Sequence, residues 1–581
     1  MKILVLLAGV TDIRFPLHPI SLNSQATIDE QGSPRRVLSP FDEAALEVAL
    51  KLRDASATTQ IDVLLLEGAN TENLMRSVAA FRPDSLHCLE LKPLQLWDAR
   101  QTAAQIAGLI KRDYGGHELV LVGRELGDLD EGSIAVLLAR KLGRSQFSMA
   151  QSGQWQGEQL WLMRERGTCE EWLEVDQPLL ASVTNDRRNK LRYPLMKNVM
   201  QAKRMTFPPC RGVGLGACRV DLVTAASRAS HPSSRSVSAI EWGRRTAGQS
   251  VGLLVERARG QSMSRILAVI PQAWGAQALE AALGAAQQVS AGQDFAAVLI
   301  SSQPSAQDAE LAMRAGARQV YQSVHGALGE CDEPQVLVAA IGEALRAIPR
   351  LGGEVPLVLL PPGPPGEELA ALLADALDGQ ALGRCVALRF ESERLVAERA
   401  AWGGRMRLCL HVDSGPAFAC LRAARPLFNA QAEADIFTIE LHGQLPRALT
   451  LDQRQSGQQL PPLEGARLVV SGGRGVNEQG FVLLEELAVN LGGTLGGSLP
   501  AVDAGMVPVL RQVGVSGKFV SPQIYLAVGI SGTLQHLAGV SLDSCIVAIN
   551  QDPEADIFKV ASLGIVAPWE TMLPALLDEL R

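Results

Sequence analysis

The residues best suited to chemistry lie near the C-terminus, where two glycine-rich segments follow short apolar runs. The first, "VVSGGRG", sets Arg474 among glycines, and the second, "AVGISGTLQH", sets Ser531 and His536 just after a glycine turn. Glycines after a strand let backbone amides approach a phosphate, and a helix N-terminus attracts an anion. The repeated pattern predicts a nucleotide-cofactor site, with Ser531 capping a helix that starts at Gly532. Spacing alone favours a His536 imidazole without a ligand role.

No motif of a hydrolytic or metal enzyme accompanies these loops. "GVSGKF" lacks the leading Gly and trailing Ser/Thr of a P-loop, and neither it nor "GISGT" is a nucleophile elbow. The nine cysteines are far apart, without the spacing of metal ligands. The sequence therefore predicts a cofactor cradle without a catalytic nucleophile or a bound metal.

The elements that would position such loops recur along all 581 residues. Short apolar runs such as "KILVLLA", "ILAVIP" and "RLVVSGG" alternate with helix-period segments in three clusters. This alternation is typical of parallel sheets covered by helices, and the length exceeds what one hydrophobic core supports. We therefore predict an α/β protein with domains at 1–205, 250–450 and 451–581, and a Ser/Arg/Gly-rich linker at 206–249.

Charge and hydropathy exclude several other classes. The net charge of −8 argues against nucleic acid as the principal partner. The apolar start "MKILVLLAGVTDIRF" lacks a small-residue cleavage site and predicts a first strand, and no apolar stretch reaches membrane-spanning length. With dispersed, reduced cysteines, these features indicate a cytoplasmic protein that is not itself a membrane protein.

Four segments together resemble a known family. "VVSGGRG", "AVDAGMVP", "QVGVSGKFVSPQIYLAVGISGTLQHLAG" and "IVAINQDPEADIFKVASLGIVA" have the order and spacing of the FAD domain of the electron transfer flavoprotein α subunit. Residues 250–450 resemble the N-terminal domain of that subunit, and residues 1–205 more loosely resemble the β subunit. The resemblance implies a fused β–α chain with two related nucleotide-hydrolase-like α/β domains and a C-terminal, flavodoxin-like FAD domain.

The resemblance also implies one FAD per chain. The residues that would line it are Arg474, Ser498, Val513, Gly514, Val515, Ser516, Ser531, Gly532, Thr533, Leu534, Gln535, His536 and Asn550. Ser516 stands where the family has a hydroxyl at flavin N5, His536 near the C2 carbonyl, and Asn550 at the adenosine end. Leu499 replaces a family arginine, so we expect a lower flavin potential or a less stable one-electron state.

The family also binds AMP in its β-like domain, and there this sequence departs from the pattern. Ser39 replaces the Asn before Pro40 and Phe41, although Ser39 with Pro40 at the first helical position still predicts a helix start. Glu67 follows the second strand, and the later helix start reads "GRELGDLDEGSIA". A carboxylate such as Glu67 near a phosphate would be repulsive, so AMP in this domain is doubtful.

The basic segment "NKLRYPLMKNVMQAKR" matches the part of the family that docks dehydrogenase partners. Tyr193 lies in it, and Met196 stands where the family has an anchoring Leu. A solvated basic face is the alternative interpretation from charge alone.

These features together imply a redox carrier rather than an enzyme. The resemblance implies that FAD accepts electrons from cytosolic flavin dehydrogenases and passes them to a membrane-associated quinone-linked or iron–sulfur oxidoreductase. One alternative is a component of a bifurcating, NADH-oxidising complex, with a second flavin in the β-like domain. Another is a nucleotide sensor that has lost the flavin.

Overall fold

The structure is a computed structural model. It describes residues 1–12, 20–22, 28–30, 36–66, 71–90, 98–166, 169–207, 211–212, 264–329, 331, 333–348, 355–391, 394–402, 406–421, 425–455, 460–461, 463, 466–514, 517–518, 520, 522–537, 539–541 and 544–580. Most of the predicted linker, and both Val515 and Ser516, lie outside them.

The helices are short to medium in length. They are α1 Pro40–Ala55, α2 Thr71–Ala79, α3 Ala99–Asp113, α4 Ser133–Leu142, α5 Met196–Ala202, α6 Gly275–Ser290, α7 Ala306–Arg314, α8 Pro334–Ala347, α9 Pro364–Ala376, α10 Glu478–Asn490, α11 Leu499–Asp503, α12 Leu534–Leu537 and α13 Trp569–Glu579. Within the described part of the chain, none has both the length and the apolar character needed to cross a bilayer.

The strands of the N-terminal half are β1 Lys2–Leu7, β2 Val10–Thr11, β3 Ile20–Leu22, β4 Ile28–Glu30, β5 Arg36–Val37, β6 Gln60–Leu66, β7 Ser85–Glu90, β8 Leu119–Gly123, β9 Ser145–Ala150, β10 Ser152–Gln156, β11 Gln159–Arg166, β12 Cys169–Glu174, β13 Leu179–Val183 and β14 Arg211–Gly212. Those that follow are β15 Ile266–Pro271, β16 Phe295–Ser301, β17 Ala317–Val324, β18 Leu357–Leu360, β19 Gln380–Cys385, β20 Ala387–Glu391, β21 Arg394–Ala401, β22 Met406–Val412, β23 Ala417–Leu421, β24 Asp435–Glu440, β25 Asp452–Gln455, β26 Leu468–Gly472, β27 Thr494–Gly497, β28 Ile524–Val528, β29 Cys545–Asn550 and β30 Leu563–Val566.

The first two domains share one topology, strand for strand. The first contains a parallel sheet in the order β14-β7-β6-β1-β8-β13-β9, and the second one in the order β24-β17-β16-β15-β18-β23-β19. Each also contains an antiparallel meander, β10-β11-β12 or β20-β21-β22. The predicted α/β class and the relatedness of these two domains are confirmed. The pairing of β14 with β7 shows that the first sheet continues past residue 205.

Local sequence explains how the first crossover begins. Ser39 caps α1, because its Oγ accepts from the Asp42 amide at 2.9 Å while the Asp42 carboxylate accepts from the Ser39 amide. Pro40 occupies the first helical position, where its missing N–H costs nothing. The predicted helix start at this point is confirmed.

A buried ion network joins the first two domains. Glu367 at the start of α9 accepts from Arg124 at 2.5 Å and from Arg384 at 2.7 Å, and Arg384 also pairs with Glu125 at 3.0 Å. Burial alone would raise the pKa of Glu367, but the two guanidiniums together lower it to about 2. Removing one member of the network would leave an uncompensated buried charge. The network therefore links the first domain to the second.

The chain between the second and third domains is tied to both of the first two. Glu343 accepts from the His442 and Gly443 amides at 2.9 and 2.8 Å, and Glu333 accepts from the Leu449 amide at 3.1 Å. Strand β25 then pairs antiparallel with β12 of the first domain. Residues 452–455 therefore belong to a sheet of the first domain, although the sequence suggested a third domain from residue 451.

The third domain is built on a five-stranded parallel sheet in the order β27-β26-β28-β29-β30. Numbered along the domain, this is the 2-1-3-4-5 order of flavodoxin-like folds, which bind ligands where the strand order reverses. That point lies between β26 and β28, at the ends of the two glycine-rich segments. The predicted flavodoxin-like domain is confirmed.

Candidate functional site

The two glycine loops meet at the carboxyl edge of the third sheet. The Gly473 amide donates to the Val528 carbonyl at 2.8 Å, and a Cβ added at Gly473 would lie 2.0 Å from the Gly529 carbonyl oxygen. Gly529 itself has a φ of +62°, which favours glycine. Only glycines allow the backbones after β26 and β28 to approach so closely.

Arg474 lies at the tip of the first loop. Its side chain is exposed, and it makes no hydrogen bond or ion pair with the other residues that the structure describes. A guanidinium offers five donors in a fixed fork that matches phosphate oxygens. Arg474 is therefore available to an anionic group held at this edge.

Several buried polar atoms near this edge make no well-aligned hydrogen bond to a described residue. Among them are Ser471 Oγ on β26, Ser498 Oγ directly after β27, and His536 Nδ1, although the Val513 backbone acts on the His536 ring. Ser498 is 6 % exposed and His536 is 5 % exposed. Leaving a buried polar atom unpaired costs about 1–3 kcal/mol, and natural structures rarely do so without a ligand or water. These atoms fit a site that takes a polar cofactor.

The other ring nitrogen of His536 is held in place. Nε2 lies 2.8 Å from the hydroxyl of Tyr525, a fully buried residue on β28. Burial lowers the pKa of His536 to about 4, against an opposing effect of the Val513 backbone, so the imidazole is neutral at pH 7. Sequence reasoning missed Tyr525, whose one visible signal is a polar ring in the otherwise apolar strand "IYLAV".

Residues 512–514 lie between the loops that carry Ser498 and His536. The Val513 amide donates to the Gly497 carbonyl at 2.8 Å, and Gly514 has a φ of +146°. A Cβ at Gly539 would lie 2.3 Å from the Gly514 nitrogen, so this strand end packs directly on the turn after α12. The backbone leading to Val515 and Ser516 is therefore fixed beside His536, although both residues themselves lie outside the described residues.

The segment from Ser531 to Gln535 differs from the prediction. Helix α12 begins at Leu534, and the Thr533 carbonyl accepts from the amides of His536 and Leu537, each at 3.0 Å. The prediction that Ser531 caps a helix starting at Gly532 is therefore wrong. The Ser531 carbonyl instead accepts from the Ile557 amide at 3.0 Å.

The side chains of this segment point in different directions. Ser531, Thr533 and Gln535 are exposed, whereas Gly532 is buried with a φ of +84°. A Cβ on Gly532 would meet the Ile557 backbone, so no larger residue fits. The backbone of Leu534 opens the turn that carries His536. Exposed hydroxyl and amide groups thus line the loop after β28.

Asn550 ends β29 and braces the neighbouring loop. Its Nδ2 donates to the Ile530 carbonyl at 2.9 Å, and its Oδ1 accepts from the Asp552 amide at 3.0 Å. The structure thus brings Arg474, Ser498, Ser531, His536 and Asn550 to one edge of one sheet.

The segment that begins at Tyr193 exposes its apolar side chains. Tyr193 is 93 % and Met196 is 74 % exposed, with Leu195, Met200 and Met205 also exposed. The start of the segment is held against α1, because Arg192 pairs with the buried carboxylate of Glu47 at 2.8 Å and with Asp54. An apolar patch on a fixed backbone is typical of a protein interaction site.

The fold and these sites define a three-domain α/β protein whose third domain has a nucleotide-cofactor edge. No group of three or more His, Cys, Asp or Glu side chains suited to a metal ion occurs among the residues described. Comparison with known families agrees with this class. Residues 462–541 match the electron transfer flavoprotein FAD-binding domain, and residues 26–208 and 271–437, more than half of the chain, match the electron transfer flavoprotein domain.

Three relatives are α subunits of electron transfer flavoproteins. The chain is 52 % identical over 122 residues to the mitochondrial electron transfer flavoprotein subunit α of Dictyostelium discoideum, covering 21 % of this chain and 34 % of that protein. It is 35 % identical over 224 residues to the α subunit of Thermoanaerobacterium thermosaccharolyticum, covering 37 % and 68 %, and 54 % identical over 117 residues to that of Pseudomonas aeruginosa, covering 20 % and 38 %. Two of these three matches thus span little more than a third of the relative. The chain belongs to the electron transfer flavoprotein family.

Proposed function

We propose that this chain is an electron carrier that holds one FAD at the carboxyl edge of its third sheet. The observation that carries the proposal is Ser498 Oγ, a buried polar atom without a partner among the described residues, in a flavodoxin-like domain that matches an FAD-binding family domain. Bound FAD would supply the redox chemistry, and the protein would supply geometry and electrostatics.

His536 would face the flavin as a neutral hydrogen-bond donor. We infer that the Tyr525 hydroxyl donates to Nε2, so that the ring proton resides on Nδ1, where the Val513 backbone is the competing acceptor within the protein. A donor at fixed position stabilises negative charge on a reduced flavin ring. Ser516 would act in the same way at the ring, and Leu499 would add no charge.

The phosphates would lie at the glycine loops. Arg474 and the exposed hydroxyls of Ser531 and Thr533 offer donors there, and Gly514, Gly532 and Val513 shape the backbone. Because α12 is only four residues long, phosphate binding would rest on these donors rather than on a helix dipole. Val515, Leu534, Gln535 and Asn550 complete the proposed lining.

The apolar segment with Tyr193 and Met196 would dock a flavin-dependent dehydrogenase that donates electrons. A membrane-associated quinone or iron–sulfur oxidoreductase would accept them. The exposed apolar patch and the Arg192–Glu47 ion pair that holds its start support the docking role. A cytoplasmic location remains a prediction of the sequence.

The proposal is tested by anaerobic reduction of the purified protein. Purified flavin dehydrogenases, each with its own acyl-CoA or methylated-amine substrate, are mixed with the chain while flavin absorbance is recorded. We expect at least one dehydrogenase to bleach the FAD catalytically, and NADH alone to leave it oxidised. Bleaching by NADH together with two flavins per chain would instead support a bifurcating complex component.

A further inference from the structure

The first sheet also has a point where strand order reverses, between β1 and β8. In open α/β sheets this crevice is the usual place for a nucleotide, and the family resemblance implies AMP in this domain. Whether this chain can hold a phosphate there depends on the backbone amides that line the crevice. Glu67 lies outside the described residues, so the answer rests on the loops after β1 and β8 and on the start of α1.

The amides after β1 are taken by Asp42, which is completely buried on the first turn of α1. Its carboxylate accepts from the amides of Ala8 at 3.2 Å, Gly9 at 2.9 Å and Ser39 at 3.1 Å. Ala8 and Gly9 directly follow β1, so their amides are not available to a ligand at this edge. Asp42 thus occupies the β1 side of the site.

The amides after β8 are taken by Asp130, which is 6 % exposed. It accepts from Leu126 at 3.0 Å and from Ser133 and Ile134, the first residues of α4, at 3.0 and 3.2 Å. Free amides at a helix N-terminus are the groups that bind phosphates. Here a side chain of the same loop already fills that position.

Asp128 closes the gap between the two loops. Its carboxylate accepts from the Thr11 amide and the Thr11 hydroxyl, each at 3.0 Å, and pairs with the buried Arg36 at 3.3 Å. Arg36 also donates to the Gly9 carbonyl at 3.1 Å, so the cation is held inside the same cluster. The loop after β8 is therefore fastened across the crevice to the loop after β1.

We propose that Asp42, Asp128 and Asp130 are permanent intramolecular occupants of the anion-binding edge of the first domain, and that this domain takes neither AMP nor a second flavin. Together the three carboxylates accept from seven backbone amides at this edge. A phosphate would have to displace them and then sit beside them, and like charges at such distances repel strongly. The disagreement with the family pattern therefore lies in these seven amides, which already donate to carboxylates of the same domain.

The first test is a count of nucleotides in the full-length protein. The purified chain is denatured in acid, and FAD and AMP in the supernatant are quantified separately by chromatography. Equilibrium dialysis with radiolabelled AMP follows on the native protein. We expect less than a tenth of an equivalent of AMP and no uptake at millimolar concentration. Close to one AMP per chain, or saturable uptake, would overturn the proposal. Because FAD is counted separately, failure of the proposed carrier function would be recognised independently.

The second test asks whether Asp130 fills an anion site. Asp130→Ala should lower the Tm, and added formate should restore several degrees, because a free carboxylate can replace the lost side chain at the three amides. Asp62→Ala is the matched control, since Asp62 lies in the same domain but accepts from side chains, Ser85 Oγ and His117 Nε2. Equal responses of wild type and both variants to formate would contradict the role of Asp130. Asp130→Asn, which keeps one acceptor oxygen, serves if the alanine variant does not fold, and the nucleotide count decides in either case.

Discussion

The carboxyl edges of the first and third sheets occupy equivalent positions in their domains, yet they differ in chemistry. In the first domain, acidic side chains reach into the crevice and take up its backbone amides. In the third, the loops after the strands hold glycines and small polar residues, and the buried Ser498 Oγ lacks a partner among the described residues. Parallel sheets thus provide a potential site in both domains, and the side chains decide whether it is used.

The largest expected effect comes from a substitution that obstructs the carboxyl edge of the third sheet. Gly473→Ala would place a methyl group against the Gly529 carbonyl and force the two loops apart. We expect FAD content to fall more than tenfold, measured by absorbance near 450 nm and by acid extraction. Gly116→Ala is the control, because a Cβ there meets nothing within 4 Å. Normal FAD content in the Gly473 variant would mean that the cofactor does not lie at this edge.

The next effect concerns partner docking, at topologically equivalent segments of the first two domains. Met196→Asp places a charge on an apolar contact, so we expect electron uptake from a dehydrogenase to fall at least tenfold while bound FAD is unchanged. Leu427→Asp is the matched control, since Leu427 is 81 % exposed in the segment between β23 and β24. Equal loss in both variants would remove the special role of the first segment.

The pH dependence of the free energy of unfolding should have opposite signs for His536 in the third domain and Asp130 in the first. The pKa of His536 is lowered to about 4, so between pH 6.5 and 4 the unfolded chain binds more protons than the folded chain. The contribution of neutral His536 to the free energy of unfolding is therefore lost as pH falls through that window. The loss amounts to about 3 kcal/mol. Burial raises the pKa of Asp130 to about 6, so the contribution of that group is instead lost as pH rises through 6.

Urea unfolding of the FAD-free protein at pH 6.5 and 4.5 measures this contrast. His536→Asn should remove the part of the pH dependence that favours higher pH, and Asp130→Asn should remove the part that favours lower pH. An unchanged pH dependence in the His536 variant would show that the imidazole is not held neutral by burial.

The smallest expected effect concerns the missing cation. Leu499 opens α11, next to Ser498, where the family resemblance implies an arginine. Leu499→Arg should favour negative charge on the reduced flavin by about 1 kcal/mol, since the position is partly solvated. A redox titration of variant and wild type would detect the higher potential. Leu499→Gln, which adds polarity without charge, should leave the potential near that of wild type.

Local patterns in the sequence predict much of this structure. Apolar runs such as "KILVLLA" and "RLVVSGG" form the central strands, and the Ser39–Pro40 pair starts α1 as expected. The sequence predicts a cofactor site at the glycine loops after β26 and β28, and these loops meet because the carboxyl ends of neighbouring parallel strands share one edge.

Long-range pairings could not be predicted in this way. Strand β25 pairs with β12 across almost 280 residues, and Asp128 reaches Thr11 from 117 positions away. The Tyr525 contact with His536 depends on which face of β28 is buried, and α12 starts later than predicted because the Ser531 carbonyl pairs with Ile557. Such contacts follow from tertiary packing, which local composition does not encode.

The most direct measurement is the visible spectrum of the purified full-length protein together with the number of flavins released per chain. If the carboxyl edge of the third sheet holds FAD and that of the first sheet is occupied by its own carboxylates, the protein is yellow and releases one FAD per chain. A colourless protein that takes up no added FAD, or a protein that releases two flavins per chain, would contradict this account.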